Sequence, residues 1–353
     1  MNRIQDIQKA LETHKLDAML LTSPIARRWA TGFHSSAGVL VVTEKESVYI
    51  TDCRYIEAAK ANVQEAKIQL IETGQPYTAL IGEVLSRNHI KRLGFEDATM
   101  TQADYTRYSQ KLDVELVPAS TLLDDLRASK TAEELAIMRR AQEITDRTFA
   151  EILPIINTEM TERELVAEIV YRLMKNGADK ASFDPIVVSG PRSSMPHGVP
   201  GDHKLEGFLI LDFGAMHRGY CADMTRTVCL GEPTEEMRKI YETVLAAQLA
   251  GIAAARTGVV GKEIDRAARD VITAAGYGAY FGHGFGHGQG LEVHEQYSPR
   301  PTEERALPVG AVISAEPGIY LPGKFGVRIE DTLYLTETGN EILTRSPKSL
   351  TIL

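Results

Sequence analysis

The sequence predicts two domains, an α/β domain over residues 1–126 and an α+β domain over residues 127–353. Three observations predict this division. Short apolar strands alternate with helical stretches as far as about Leu126, helix-capping sequences begin at Thr131, and the second half contains pairs of apolar strands joined by turns. At 353 residues, with 43% hydrophobic and 25% charged residues, the chain is long enough for two sizeable cores.

The first domain is predicted from apolar segments of strand length separated by helical stretches. This alternation is typical of a small three-layer α/β domain. Residues Asp52 to Tyr55 follow one strand and predict a turn into a helix. No comparable cluster of acids and histidines occurs in this part of the sequence, so we expect it to have a supporting role. The strand candidates are Ala18 to Leu21, Gly38 to Thr43, Ser47 to Thr51, Ile68 to Glu72, Arg92 to Phe95 and Val114 to Pro118.

Capping sequences predict the helices of the second domain. Thr131 and Glu134 have the spacing of a capping box, in which each side chain accepts a hydrogen bond from the other residue's backbone N–H at a helix start. Thr161 and Glu164 repeat this pattern, and Gly177 marks the end of the helix that they begin. The remaining helices are predicted from Thr234 to Arg256 and from Lys262 to Ala275.

The first of two predicted β-hairpins carries two acidic residues. Asp212 lies in the apolar run Phe208 to Phe213, which predicts a buried strand, and Tyr220 to Leu230 predicts the strand that returns beside it. Alternation of side chains along this second strand puts Asp223 on one face. The other residues predicted on that face are Cys221, Thr225 and Thr227.

The second predicted hairpin also carries two acidic residues. Ala311 to Glu316 and Val327 to Leu335 predict its strands, and a Pro-Gly turn lies between them. Glu316 lies on one strand and Glu330 on the other. Each hairpin therefore supplies two carboxylates.

These four acids, together with His287, predict a centre for two divalent metal ions. Burying a carboxylate without a partner is costly, and several carboxylates at one point repel each other. Two divalent cations and a bridging hydroxide bring such a cluster close to neutrality. Oxygen ligands with one imidazole favour manganese, followed by cobalt, zinc or ferrous iron. Any one acid alone is better interpreted as a separate surface or salt-bridged residue, and only the combination favours the metal centre.

The segment from Gly282 to Gly290 has glycine at every second position and therefore predicts no stable helix. His283 and His287 are consequently not the i, i+4 pair of a helical zinc site. We expect the glycines to let the backbone pass close to the metals.

Two more side chains are candidates for the surroundings of the metal centre. His197 lies in a loop rich in Ser, Gly and Pro, where both a solvated histidine and a substrate-facing histidine are possible. Arg328 shares a strand face with Glu330 by alternation, so it could orient that carboxylate or bind a carboxylate of the substrate.

Composition excludes several classes of function. A net charge of -9 and a pI near 5.6 argue against binding to nucleic acid or to an anionic membrane, so a small-molecule or peptide substrate fits better. Cys53, Cys221 and Cys229 have no spacing typical of a disulfide framework or a zinc site.

Residues Met1 to Asp6 predict the start of a polar amphipathic helix, and no apolar stretch is long enough to span a bilayer, so we expect a cytoplasmic protein.

Five short motifs resemble, in chain order, the ligand motifs of the pita-bread metallopeptidases. More closely, the chain resembles the Xaa-Pro peptidases, prolidase and aminopeptidase P, which have a creatinase-type N-terminal domain. The resemblance covers the second domain closely and the first in length and pattern. The motifs are LDFGA with Asp212, CADMTRT with Asp223, HGFGHGQGLEVHE with His287, SAEPGIY with Glu316 and GVRIEDT with Glu330.

The resemblance implies two Mn, Co or Zn ions bridged by Asp223 and Glu330, with Asp212 on one ion and His287 and Glu316 on the other. A hydroxide that bridges the metals would attack the carbonyl before proline. The roles implied for the remaining residues are substrate and intermediate contacts for His197 and His294, a proton shuttle for Glu316, and the proline pocket for His283. A homodimer is also implied.

Alternatives differ in substrate or in class. An Xaa-Pro dipeptidase is favoured, and an aminopeptidase P that acts on longer peptides with proline second is the alternative. Methionine aminopeptidases share the five ligands but lack a domain like residues 1–126, and creatine-type amidinohydrolases lose the ligands. A catalytically inactive peptide-binding module on the same fold should also have lost the ligands, which are all present here.

Overall fold

The computed structural model describes residues 3–353, and these residues form two compact units, the first ending at Arg127 and the second beginning at Ala128. The predicted N-terminal helix is observed from Arg3 to Thr13, while Met1 and Asn2 lie outside the described residues. In the part of the chain that the structure describes, no helix combines the length and the apolar character needed to cross a membrane.

The first unit is an α/β domain built on one mixed sheet. Its strands are β1 (Ala18–Leu21), β2 (Val39–Thr43), β3 (Ser47–Thr51), β4 (Lys67–Leu70), β5 (Arg92–Phe95) and β6 (Glu115–Pro118). Its helices are α1 (Arg3–Thr13), α2 (Pro24–Thr31), α3 (Ile56–Asn62), α4 (Tyr77–Arg87), α5 (Gln102–Lys111) and α6 (Ser120–Ala128). The strand order is β4-β3-β2-β1-β5-β6, with antiparallel pairing among β1, β2 and β3 and parallel pairing elsewhere. Every strand predicted for this region is confirmed.

Local sequence signals account for the boundaries in this unit. Ser23 caps α2 with its side chain, Pro24 occupies the first helical turn, and Gly32 ends the helix with a φ of 71°. The turn predicted from Asp52 to Tyr55 leads into α3, as expected. Apolar residues of β1, β2, β3 and β5 then form a common core with those of α4.

The second unit combines helices with antiparallel sheets, as predicted. Its helices are α7 (Ala132–Ile152), α8 (Glu162–Lys175), α9 (Glu235–Ala254) and α10 (Gly261–Ala274), with short 3-10 helices at Leu153–Ile155, Gly190–Ser194 and Gly278–Tyr280. The capping boxes predicted at the starts of α7 and α8 are both confirmed. The strands are β7 (Lys180–Ala181), β8 (Ile186–Ser189), β9 (Gly207–Asp212), β10 (Ala215–His217), β11 (Tyr220–Cys221), β12 (Thr225–Leu230), β13 (Val312–Ala315), β14 (Gly318–Leu321), β15 (Phe325–Arg328), β16 (Asp331–Leu335), β17 (Asn340–Ile342) and β18 (Thr351–Ile352).

The first acid-bearing hairpin is interrupted at its acidic residues. β9 ends at Asp212 and pairs with β12, and the chain then resumes in β10, which pairs with β11. The prediction of one strand from Tyr220 to Leu230 is wrong, because residues 222–224 form no strand and Asp223 lies in that gap. Alternation along a continuous strand therefore does not describe where the Asp223 side chain points.

The second hairpin is interrupted in the same way. β13 pairs with β16, and β14 pairs with β15. Glu316 and Pro317 lie between β13 and β14, while Ile329 and Glu330 lie between β15 and β16. The prediction of one strand from Val327 to Leu335 is thus also wrong. All four acids lie at a strand end or in a gap between strands.

Backbone chemistry explains these interruptions. Pro317 has no N–H and cannot continue a ladder of strand hydrogen bonds. At Gly214 the opposing chain approaches so closely that a Cβ atom would lie 1.8 Å from the Ala222 carbonyl oxygen. Only glycine permits this approach, which bends the first hairpin next to Asp212 and Asp223.

Gly286 brings the glycine-rich segment against β13. A Cβ atom at this position would lie 2.1 Å from the Ser314 carbonyl oxygen. The His287 N–H donates to Ser314 Oγ at 2.9 Å, and the Ser314 N–H donates to the His287 carbonyl at 2.8 Å. The approach seen at Gly286 is to a neighbouring strand, and the expectation that the glycines let the backbone pass close to the metals stays a prediction. This contact places His287 beside the gap that holds Glu316.

Candidate metal centre

A cavity of about 590 Å³ in the second unit brings together every residue predicted for the site. The apolar residues Phe183, Ile186 and Val293 are among those that line it. The predicted ligands that line it are Asp212, Asp223, His287, Glu316 and Glu330, and the other predicted site residues are His197, His283, His294 and Arg328.

Asp223, His287 and Glu330 are the tightest group within this cavity. Each offers one ligand atom, and these atoms lie within 4.8 Å of one another. Asp223 is 5% exposed and Glu330 1% exposed, so their charges are removed from bulk water. Two carboxylates and an imidazole at this separation suit a divalent ion of borderline or hard character.

Three carboxylate oxygens at the site are buried and accept no hydrogen bond. They are Asp212 Oδ1, Asp223 Oδ1 and Glu330 Oε1. An ionised oxygen buried without a partner is strongly destabilising, and a cation is the kind of partner that satisfies it. The residues present therefore fit bound divalent metal.

The surroundings raise the pKa of three of the predicted ligands. Burial is the largest cause for Asp212, Asp223 and Glu330, and charge repulsion from neighbouring carboxylates adds to it. At Asp212 the Arg328 guanidinium acts in the opposite direction. The raised pKa values mean that the protein groups around these acids offset their burial only in part, so protons and metal ions compete for them.

His287 and Glu316 form an ion pair next to this group. The distance from His287 Nε2 to Glu316 Oε1 is 3.2 Å, and to Asp223 Oδ2 it is 3.6 Å. Burial tends to lower the pKa of His287, but the hydrogen bond and charge of Glu316 outweigh burial and raise it to about 9. Burial tends to raise the pKa of Glu316, which the same contact lowers to about 2. A metal ion that binds the His287 ring would therefore have to displace a proton from it.

Arg328 contacts Asp212 instead of Glu330, the partner that strand alternation suggested. Its Nη2 donates to Asp212 Oδ2 at 2.5 Å, its Nη1 to the Tyr320 hydroxyl at 2.8 Å, and its Nε to Thr225 Oγ1 at 3.0 Å. Thr225 in turn donates to Glu330 Oε2 at 2.7 Å. The strand gap between Arg328 and Glu330 explains the difference. Arg328 is buried and neutralised by Asp212, so it orients a predicted ligand.

Three histidines surround the acids. His283 Nε2 lies 3.0 Å from the Tyr320 hydroxyl. The His294 ring meets the His287 ring edge-on, with centroids 4.2 Å apart, and His197 lines the same cavity. Burial lowers the pKa of His283 and of His294, and the nearby His287 lowers that of His294 further. Both are therefore neutral at pH 7, with a nitrogen able to accept or donate.

The structure adds residues that sequence reasoning missed. Tyr320 joins Arg328 to His283, and only its position in the strand after Glu316 could have suggested this. Arg300 lines the cavity from an exposed loop, and the sequence of this loop has no motif or periodicity that marks it. Its side chain has no hydrogen bond or ion pair to any of the described residues, although it is close enough to Glu303 to lower the pKa of that acid slightly.

Comparison with known families gives two matches that together cover most of the chain. Residues 136–337 match metallopeptidase family M24. Residues 3–129 match the Creatinase/Prolidase N-terminal domain.

Individual relatives are similar over almost the whole chain. The Xaa-Pro dipeptidase of Pyrococcus furiosus is 35% identical over 353 residues, which span 99% of each chain. The solved structure of an Xaa-Pro dipeptidase from Bacillus anthracis is 40% identical, covers 99% of both chains and has a TM-score of 0.96. That of an X-Pro aminopeptidase from Thermotoga maritima is 34% identical, covers 98% of this chain and 100% of the other, and has a TM-score of 0.91.

Proposed function

Because the chain belongs to metallopeptidase family M24 and has a Creatinase/Prolidase N-terminal domain, we propose that it hydrolyses the peptide bond before proline in Xaa-Pro dipeptides. The observation that carries this proposal is that four carboxylates and one imidazole converge on a single cavity with three buried oxygens unpartnered. Similarity to two Xaa-Pro dipeptidases supports the choice of substrate.

Asp212, Asp223, His287, Glu316 and Glu330 would hold two divalent ions, and manganese is the first choice among them. The donor set supports this, since four carboxylates and one imidazole suit manganese, with cobalt, zinc and ferrous iron as alternatives. When bound, the ions lower the pKa of water and polarise the carbonyl of the peptide bond.

The protein groups around the reacting bond handle protons and charge. Glu316 accepts a proton from the attacking water and delivers it to the proline nitrogen, and the Ser314 hydroxyl, 3.1 Å from Glu316 Oε1, fixes its orientation. His294 donates a hydrogen bond to the oxygen that becomes negative at the carbonyl carbon. His197 on the same cavity contacts the substrate.

Proline is selected by shape and by its nitrogen. Phe183, Ile186 and Val293 line the cavity and provide apolar contacts that suit the pyrrolidine ring, and His283 lines the same cavity. The nitrogen of an Xaa-Pro bond carries no hydrogen, so the cavity needs no acceptor for an amide N–H, and Glu316 supplies the proton that any leaving amide nitrogen requires.

Arg300 supports a dipeptide as substrate. Arg300 packs against Gly284, the residue after His283, since a Cβ atom at Gly284 would lie 2.8 Å from the Arg300 Cβ. A cation there, near the proline end of the substrate, can bind the free carboxylate of Xaa-Pro. Arg328 does not fill this role, because Asp212 already neutralises it.

Arg300→Gln is expected to raise the KM for Ala-Pro by about 10- to 100-fold, the range for a lost charge-assisted hydrogen bond, with kcat nearly unchanged. Steady-state kinetics on Ala-Pro and on Ala-Pro amide, which has no carboxylate, measure the effect. Arg266→Gln is the matched control, since this exposed arginine pairs with Glu263 outside the cavity. Equal KM changes for the acid and the amide would contradict the role of Arg300.

An aminopeptidase that removes the first residue of longer peptides is the second candidate, favoured by the similarity to the X-Pro aminopeptidase structure. Hydrolysis of Ala-Pro compared with Ala-Pro-Ala separates the two. A dipeptidase cleaves Ala-Pro far better, whereas an aminopeptidase accepts the tripeptide at least as well.

A homodimer that works in the cytoplasm completes the proposal. The resemblance to Xaa-Pro peptidases supports the dimer. Free dipeptides are the substrates that such an enzyme would meet there.

A further inference from the structure

The loop between His287 and His294 is folded around the carboxylate of Glu295. Glu295 Oε1 accepts the Leu291 N–H at 2.9 Å, and the Glu295 N–H donates to the Gly288 carbonyl at 2.7 Å. A Cβ atom at Gly290 would lie 2.4 Å from Glu295 Oε1, so the loop leaves no space beside this side chain. The residue after His294 therefore fixes the path of the loop.

Lys130 provides the countercharge for this carboxylate. Its Nζ lies 2.9 Å from Glu295 Oε2, and the two side chains are 3% and 7% exposed. The Lys130 N–H donates to the Gly310 carbonyl at 2.8 Å, and the next residue begins the capping box of α7. Ordered backbone thus holds Lys130 in place. Loss of either partner of a buried ion pair leaves the other charge buried without a partner, which is strongly destabilising.

His294 depends on this loop for its position. Its ring is exposed on one side and meets the predicted metal ligand His287 edge-on at 4.2 Å. None of the hydrogen bonds found among the described residues holds the His294 ring itself. Its direction is therefore set by the backbone on either side, and Glu295 is the neighbour that anchors this backbone.

We propose that the buried Lys130–Glu295 ion pair is a positioning device that holds His294 over the metal centre. This inference rests on the proposed function. Glu295 and Lys130 act through His294 and touch neither substrate nor metal. A looser loop leaves the ligands in place, because His287 is held separately by β13.

Glu295→Gln and Lys130→Met are expected to lower kcat for Ala-Pro by about 10- to 100-fold, the range seen when a residue that orients a functional side chain is changed. The KM should stay within about threefold of wild type and the metal content should not change, because neither residue belongs to the substrate pocket or the ligand set. Lys130→Arg, which keeps the charge, should retain most of the activity. Asp146→Asn is the matched control, since this carboxylate also clamps a loop through the Arg345 and Ser346 N–H groups, but that loop carries no site residue.

A double-mutant cycle with His294→Ala separates positioning from a general loss of structure. If Glu295 acts through His294, Glu295→Gln should have little further effect on kcat in the His294→Ala background. Three results would overturn the proposal. They are an equal loss of kcat in both backgrounds, a kcat that falls only in proportion to bound metal, and an unchanged kcat in folded Glu295→Gln and Lys130→Met variants. A wild-type enzyme that cleaves no Xaa-Pro peptide would instead overturn the proposed function.

Discussion

Asp223→Ala and His287→Ala are each expected to lower the hydrolysis of an Xaa-Pro dipeptide by about a thousandfold or more, since metal ions contribute several kcal/mol of transition-state stabilisation. Both residues belong to the tightest group of ligand atoms in the cavity. Losing either one should reduce bound metal as well as kcat. Activity assays combined with metal analysis by mass spectrometry test both parts.

The fold should survive these substitutions. The pKa of Asp223 is raised by burial and by the charge of Asp212, so the ionised side chain destabilises the metal-free protein. Removing it should leave the unfolding midpoint of metal-free protein the same or higher. Circular dichroism and thermal unfolding in chelator check this expectation.

His217→Ala is the matched control for the histidine variant. His217 lies in β10, and its Nδ1 is 3.3 Å from the Gly177 carbonyl, outside the cavity. Its replacement should change neither metal content nor kcat. Full activity in Asp223→Ala or His287→Ala would refute the proposed ligand set.

Local signals in the sequence predicted the elements of this fold well. The capping boxes at Thr131 and Thr161 depend on residues three apart, so the helix starts that they specify can be read without knowing the tertiary structure. The strands of the first unit are similarly marked by short apolar runs between turn residues.

The strand gaps could not be predicted in the same way. The bend at Gly214 depends on the approach of Ala222 from the opposing strand, and that contact exists only after the hairpin forms. The assumption that side chains alternate along one continuous strand therefore predicted the wrong partner for Arg328. The acids themselves were recognised from their apolar surroundings. The Lys130–Glu295 pair joins residues far apart in sequence, and Arg300 lines the cavity from a loop, so no period in the chain marks any of them.

Chelation is expected to abolish activity, and manganese or cobalt should restore it. Full activity should require two equivalents of metal per chain, because the four carboxylates that line the cavity carry four negative charges, which two divalent ions balance and one does not. Titration of the metal-free protein, followed by assay of Ala-Pro hydrolysis, gives this number. Turnover in chelator by protein shown to contain no metal would contradict the metal centre.

Metal should also stabilise the folded chain against heat. A ligand present at 100 times its Kd adds about 2.7 kcal/mol, which for a unit of this size corresponds to a rise of roughly 5 to 10 °C in Tm. Because burial raises the pKa of Asp212, Asp223 and Glu330, protons compete with the metal, and the rise should shrink as the pH falls. Asp223→Ala should show a smaller rise at every pH. An equal rise in wild type and in this variant would mean that the ions bind elsewhere.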